Sequence, residues 1–116
     1  ADLAAILASL RADDGRFAAA QLRELATKSP LALHLTCAQL RRGRELAIED
    51  AFQLEYRMVH RVLAGHDFHE GVRALLIDKD RRPRWRDHQG HAIAAAVAAA
   101  MSPLPSGELE LDWQGT

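Results

Sequence analysis

Apolar stripes at helical spacing, separated by turn signals, cover most of this 116-residue chain and constrain its fold class. The first stripe recurs at the interval of one helix face: Leu3, Ile6, Leu7 and Leu10. Asp2 stands directly before it as a candidate N-cap, and the Asp-Asp-Gly turn at residues 13–15 closes it. The pattern therefore predicts a first helix over residues 3–12.

The same signals predict five further helices. Ser29 and Pro30 have the pattern of an N-cap followed by proline at the first helical position, where its missing N–H costs nothing. The predicted helices cover residues 16–27, 48–64, 67–76 and 89–101, together with one that begins at Pro30 and has Gly43 as its C-terminal cap; Gly65 is the stop signal after residue 64. The segment 102–105, Ser-Pro-Leu-Pro, breaks the last helix, so residues 102–116 are predicted to form an extended tail. We expect an all-α fold of about six short-to-medium helices in one region covering residues 1–116.

The apolar content predicts a thin core. Hydrophobic residues make up 48% of the chain, but much of that share is alanine, and aromatic residues make up only 5%. Alanine favours helix and buries little area per residue. The chain is therefore expected to be a helical layer that packs against another part of a protein.

Charge and cysteine content argue against several classes of partner. With 15 basic and 16 acidic residues the formal charge is −1, whereas nucleic-acid binding usually shows a net basic surface. No apolar run reaches the roughly 18 to 20 residues of a membrane span. The single Cys37 excludes an intramolecular disulfide and fits a reducing compartment. The alanine and arginine bias suggests a bacterial cytoplasmic protein.

The histidines and the cysteine do not form a convincing reactive site. His66 and His69 share the spacing of His88 and His91, but neither pair supplies the three or four ligands of a zinc site. We interpret these histidines as solvated and expect no metal. Cys37 lies one helical turn from His34 and is interpreted as a half-buried free thiol, because no orienting group is nearby.

Two basic clusters, residues 41–44 and 81–84, have two interpretations. Cations at a helix end suit the helix dipole, which favours a solvated surface. Arginine can also bind phosphate oxygens with its fork of donors, which favours an anion site. For the chain as a whole, a further interpretation is a helical interaction module that uses residues 41–44 as its contact patch.

Several residues are predicted to tie the chain together. Asp67 and Glu70 have the spacing of a capping box at the start of the fifth helix. Glu55 lies on an apolar helix face, where a buried carboxylate needs a partner, and Arg73 is the predicted one. Trp85 is expected to fix the charged loop that follows the fifth helix.

The order of residues between positions 29 and 85 resembles a known family. Four segments have the resemblance: Ser-Pro-Leu-Ala-Leu-His-Leu-Thr at 29–36, Leu-Arg-Arg-Gly at 40–43, Leu-Glu-Tyr-Arg-Met at 54–58, and Asp-Phe-His-Glu-Gly-Val-Arg-Ala-Leu-Leu-Ile-Asp-Lys-Asp at 67–80 with Pro83 and Trp85 after it. They are similar to the 3-hydroxyisobutyryl-CoA hydrolase branch of the crotonase (enoyl-CoA hydratase/isomerase) superfamily. The 67–85 segment is the most specific. His34 departs from the family, which often has lysine there, and the alanine helix after Trp85 differs from the family's acidic one.

The resemblance implies that this chain is the C-terminal helical region of a crotonase-type fold, without the N-terminal ββα spiral core. The family's oxyanion hole and acidic catalytic residues belong to that core, so no catalytic residue is assigned here. The implied partners are the N-terminal core of the same protein, an acyl-CoA substrate and neighbouring subunits of a homo-oligomer. No cofactor is implied.

The resemblance also implies an activity and a ligand contact. The parent is expected to hydrolyse a short branched hydroxyacyl-CoA thioester, as in valine catabolism, and an enoyl-CoA hydratase or isomerase is the alternative. Lys79 aligns with a lysine that approaches CoA in related hydratases, and Arg81 and Arg82 are weaker candidates. The segment is expected to be inert alone and to act as a lid and docking element. The first residue, Ala1, suggests a truncated product.

Overall fold

The computed structural model describes residues 2–112, and every regular element in that range is helical. Six α-helices confirm the predicted all-α class: α1 Leu3–Ala12, α2 Arg16–Leu25, α3 Pro30–Gly43, α4 Ile48–Ala64, α5 His66–Val72 and α6 His91–Met101. A π-helical turn, Arg73–Ile77, directly follows α5. No helix in the described range has the length and hydropathy needed to cross a membrane.

Two helix starts follow from short polar side chains. The Asp2 carboxylate accepts a hydrogen bond from the Ala5 backbone N–H at 2.9 Å, which satisfies one of the free donors in the first turn of α1. The Ser29 hydroxyl accepts from the Ala32 N–H at 3.2 Å, and Pro30 occupies the first position of α3. Both caps confirm the prediction from the sequence. Helix α2 ends at Leu25, two residues before the predicted end at Thr27.

The core of the chain lies where α3, α4 and α6 meet. Four buried side chains form it: Leu35, Leu54, Met58 and Ala100. Helix α5 packs against α4, and α1 and α2 pack against each other at the other side of α3. No large side chain is fully buried in the described range, so the core is as thin as the alanine content predicted.

A second apolar stripe of α4 faces solvent. Its members are Ile48, Phe52, Val59, Val62 and Leu63, with exposed fractions between 36% and 66%. This is the face that the sequence pattern made conspicuous, yet α4 packs on the rest of the chain through Leu54 and Met58. The most apolar face of the longest helix therefore has no partner within residues 2–112.

The helix after Gly65 changes its geometry midway. In the π-helical turn the Asp78 N–H donates to the Arg73 carbonyl at 2.8 Å, five residues back rather than four. The sequence predicted one continuous α-helix through Leu76, because apolar periodicity does not distinguish the two forms. Helix α6 begins at His91 rather than at residue 89, since Gly90 has a φ of 57° that interrupts helical geometry.

The segment after α6 folds back onto α4. The Arg57 side chain donates to Glu108 at 2.9 Å, and Arg61 donates to the carbonyls of Ser102 at 2.9 Å and Pro103 at 3.2 Å. Leu104 is buried beneath this contact. Residues 102–112 contain no strand and are anchored through at least Glu108, while residues 113–116 of the predicted tail lie outside the described range.

Candidate functional site

Asp67 and Glu70, one turn apart on α5, hold the loop that contains Trp85. The Asp67 carboxylate accepts from the Arg86 backbone N–H at 2.7 Å, and the Glu70 carboxylate accepts from the Arg84 N–H at 3.1 Å. The predicted capping box is wrong, because α5 begins at His66 and has no side-chain cap. The two carboxylates therefore bind backbone N–H groups of the loop around Trp85, and not those at the start of their own helix.

Asp67 also links α5 to the start of α3. Its second carboxylate oxygen accepts from the Ser29 hydroxyl, and His66 Nδ1 lies 3.0 Å from the first oxygen. Burial raises the pKa of Asp67, but hydrogen bonds from the Arg86 backbone, Ser29 and His66 outweigh it and leave the pKa below its usual value. Ser29 bonds to the carboxylate and not to His66, so these residues do not form a charge-relay triad.

Trp85 lies between those two backbone bonds and closes the loop on the body of the chain. Its indole Nε1–H donates to the Thr27 carbonyl at 2.9 Å. The ring lies over Gly71, where an added Cβ would come within 3.3 Å of the indole carbon Cη2. The loop, the turn after α2 and the last turn of α5 are thus joined at one aromatic ring.

Arg73 collects three carboxylates. Its guanidinium contacts Glu70 at 2.6 Å, Asp78 at 2.8 Å and Asp80 at 2.8 Å. The Glu55–Arg73 pair predicted from the sequence is therefore wrong: Glu55 is exposed on α4, and Arg73 turns to acids near it in sequence. Short-range partners fixed by the π-helical turn replaced a long-range one.

Contacts within the Arg73 cluster shift the pKa values of Glu70, Asp80 and Arg73. Hydrogen bonds from Arg73, and then from the Arg84 backbone, lower the pKa of Glu70 to about 2. Arg73 lowers the pKa of Asp80 in the same way, aided by the Arg82 backbone N–H. Glu70, Asp80 and Asp78, in turn, raise the pKa of Arg73. Glu70, Asp80 and Arg73 therefore stay charged near neutral pH.

The loop that carries the predicted ligand residues has an unusual backbone. Lys79 and Arg81 both adopt positive φ, 56° and 57°, a region that non-glycine residues rarely occupy. Lys79, Arg81 and Arg82 are all exposed, and none of their side chains forms an ion pair within the described residues. The structure therefore brings the three candidate cations together on one short loop.

The other basic cluster lies beside an open groove between α3 and α4. Arg44, Leu40, Ile48, Phe52 and Glu55 are among the residues that line this groove of about 480 Å³. Its lining is mostly apolar and its mouth is wide. The groove is continuous with the exposed stripe of α4, which indicates a packing surface more than an anion site.

The histidines and Cys37 show no reactive grouping. The His69 Nε2 atom lies 2.7 Å from the Leu63 carbonyl, and His66 contacts Asp67. Cys37 is a free, half-buried thiol. Within residues 2–112 no group of three or more His, Cys, Asp or Glu side chains is arranged to hold a metal ion.

Three residues that help to hold the Trp85 loop were not predicted from the sequence. Thr27 contributes its carbonyl oxygen, Ser29 contributes its hydroxyl to Asp67, and Gly71 leaves room for the indole ring because it has no side chain. Such contacts leave no periodic signal. The one available hint was the glycine inside a short helix, which usually marks a close approach.

The sequence matches a known family, and the fold matches a solved structure. The family described as Enoyl-CoA hydratase/isomerase matches residues 1–101, and the chain belongs to this family. A solved structure of an enoyl-CoA hydratase from Rhodobacter sphaeroides 2.4.1 superposes with a TM-score of 0.83 and 42% identity, covering 96% of this chain.

The chain is also similar to curated 3-hydroxyisobutyryl-CoA hydrolases. The mitochondrial 3-hydroxyisobutyryl-CoA hydrolase of Gallus gallus is 40% identical over 107 residues, and that of Xenopus laevis is 42% identical over 107 residues. Each alignment covers 91% of this chain but only 28% of the relative. The chain spans a similar minority, 34%, of the Rhodobacter sphaeroides structure. These findings confirm the resemblance seen in the sequence.

The predicted location is wrong. Composition suggested a bacterial cytoplasmic protein, whereas the curated relatives from Gallus gallus, Xenopus laevis, Danio rerio and Homo sapiens are mitochondrial by name. Alanine and arginine content does not report a compartment. One structural relative is bacterial.

Proposed function

We propose that this chain is the C-terminal helical segment of a longer acyl-CoA thioester hydrolase that resembles 3-hydroxyisobutyryl-CoA hydrolase. The observation that carries the proposal is 40% identity to such a hydrolase over 91% of the chain. Asp67, Glu70 and Trp85 support it, because these three residues of the 67–85 segment each make a specific contact.

In the proposed reaction, water attacks the thioester carbonyl, the C–S bond breaks, and a carboxylic acid and the CoA thiol are released. The resemblance assigns the oxyanion donors and acidic groups of this step to the N-terminal core. The segment contributes packing and ligand contacts, with Lys79 as the first candidate for CoA and Arg81 and Arg82 after it. Alone, it should be inert.

The docking role rests on the unpaired apolar stripe of α4. Monomeric proteins rarely leave contiguous apolar surface exposed on this scale. Phe52 is 50% exposed and Ile48 is 66% exposed, and both line the groove beside α3. The N-terminal core of the same protein is the proposed occupant, since the relatives are about three times longer than their match to this chain.

An enoyl-CoA hydratase or isomerase is the second candidate. It is favoured by the 42% identity to the Rhodobacter sphaeroides structure described as an enoyl-CoA hydratase. The family match supports both candidates and argues against a helical module unrelated to CoA.

The two activities are separated by incubating the full-length protein with 3-hydroxyisobutyryl-CoA and, separately, with an enoyl-CoA. Release of free thiol from the first substrate supports the hydrolase. Loss of the conjugated double bond of the second, without thiol release, supports the hydratase. The isolated chain is the matched control and should do neither.

A further inference from the structure

We propose that Arg73 is a positioning residue: by gathering Asp78 and Asp80, it shapes the loop 78–82 so that Lys79 and Arg81 bind a phosphate group of the CoA thioester. This inference rests on the proposed function, which supplies the ligand. Arg73 itself does not contact the ligand.

The alternation of charge along this loop is the first observation. Acidic residues stand at 78 and 80, and basic residues at 79, 81 and 82. Left free, Asp78 and Asp80 would pair with the adjacent cations and compete with an anionic ligand. Instead, both lie 2.8 Å from Arg73 Nη1, which withdraws them from the cations between them.

The backbone is the second observation. Lys79 and Arg81 have φ of 56° and 57°, and such residues persist only where the surroundings impose the conformation. The constraints converge on Arg73 and its helix. Arg73 donates to the Arg82 carbonyl at 3.3 Å, and the Arg81 N–H donates to the Ala74 carbonyl at 3.0 Å.

The third observation is the anchoring of Arg73. Glu70 accepts from both Nε at 3.0 Å and Nη2 at 2.6 Å, a bidentate grip that fixes the plane of the guanidinium. A lysine in this position has one compact charge and cannot bind three carboxylates in a fixed plane. Arg73→Lys should therefore not preserve the shape of the loop 78–82.

Steady-state kinetics of the full-length protein test the inference, with 3-hydroxyisobutyryl-CoA and the corresponding pantetheine thioester, which has no phosphate ester beyond the pantetheine arm. We expect Lys79→Ala to raise KM for the CoA thioester about tenfold. Arg73→Gln should raise it by a similar factor with little change in kcat. The double variant should raise KM by less than the product of the two single effects, because Arg73 acts partly through the Lys79 contact. KM for the pantetheine thioester should not change.

Arg57→Gln is the matched control for a purely structural effect. Arg57 also binds a carboxylate, that of Glu108, but far from this loop in sequence. It should lower thermal stability without changing KM. If Arg73→Gln does not fold, Arg73→Lys keeps a positive charge beside Glu70 but cannot hold Asp78 and Asp80 in one plane, and it should raise KM in the same way.

The outcomes separate the inference from the function beneath it. A raised KM with Lys79→Ala but not with Arg73→Gln or Arg73→Lys overturns the positioning role alone. Equal effects on both thioesters overturn the phosphate contact. If Lys79→Ala has no effect on KM, both the phosphate contact and the positioning role of Arg73 are overturned. If the wild-type protein acts on neither 3-hydroxyisobutyryl-CoA nor an enoyl-CoA, the proposed function is overturned as well.

Discussion

Gly71 lies directly beneath the indole ring of Trp85, so that a methyl group at position 71 would come within 3.3 Å of the ring. The ring cannot easily move away. Its Nε1–H is bonded to the Thr27 carbonyl, and the backbone N–H groups on either side of it are bonded to Glu70 and Asp67. The contact between Gly71 and Trp85 therefore holds the loop against α5.

We predict that the effect of Gly71→Ala on the free energy of unfolding changes sign when Trp85 is replaced. In the wild type, overpacking against the ring should exceed the gain in helix propensity and lower the free energy of unfolding by about 1 kcal/mol. With Trp85→Ala in the background the ring is gone, and the same change should stabilise by up to about 1 kcal/mol. Chemical denaturation of the four variants measures both. Destabilisation of equal size in both backgrounds would contradict the contact.

Acid should destabilise the chain through Glu70. Its pKa is about 2 in the folded state against an ordinary 4.5. A lowered pKa adds stability above the unfolded value, so this contribution is present at neutral pH and is lost as pH falls from 4.5 towards 2. Melting temperature against pH should show that fall in the wild type and a flatter profile in Glu70→Gln. Parallel profiles would show that Glu70 is not the titrating group.

The arm after α6 should depend on Arg61. Its hydrogen bonds to the Ser102 and Pro103 carbonyls are charge-assisted, so Arg61→Met should cost about 1 to 3 kcal/mol. Amide hydrogen exchange should speed up between residues 102 and 108 more than in α4. Arg23→Met, at an exposed position on α2, is the control and should leave exchange there unchanged. Equal exchange in both variants would refute the anchoring role.

Glu55 distinguishes the isolated segment from the full-length protein. It is exposed in the middle of the apolar stripe of α4, so Glu55→Gln in the isolated chain should change stability by less than about 0.5 kcal/mol. If the N-terminal core covers this stripe, Glu55 is buried there and paired, and the same substitution should cost about 1 to 3 kcal/mol. Denaturation of both proteins decides; equal small effects would contradict docking through this face.

The helices were predictable because their signals are local. Asp2, Ser29 and Pro30 fix helix starts through contacts within one turn, and Gly65 marks the end of α4. Such contacts depend only on residues three or four positions away. The predicted bounds of α1 and α4 and the start of α3 were therefore confirmed, whereas Gly43, the predicted cap, is the last residue of α3.

The site was less predictable because its contacts join distant parts of the chain. Asp67 has the spacing of a helix cap, yet its partner lies at Arg86, nineteen residues away. The apolar stripe of α4 was conspicuous in the sequence, but periodicity cannot tell an internal partner from an external one. Glu55 was for that reason assigned an arginine partner within the chain, whereas it is exposed.

Thiol release by the full-length protein tests the central claim most directly. With 3-hydroxyisobutyryl-CoA as substrate, we predict turnover that produces one free thiol per acid formed, and none above background from the isolated 116-residue chain. Turnover by the isolated chain would show that it carries its own catalytic groups. Hydration of an enoyl-CoA without thiol release would place the protein with the hydratases and contradict the proposed hydrolase.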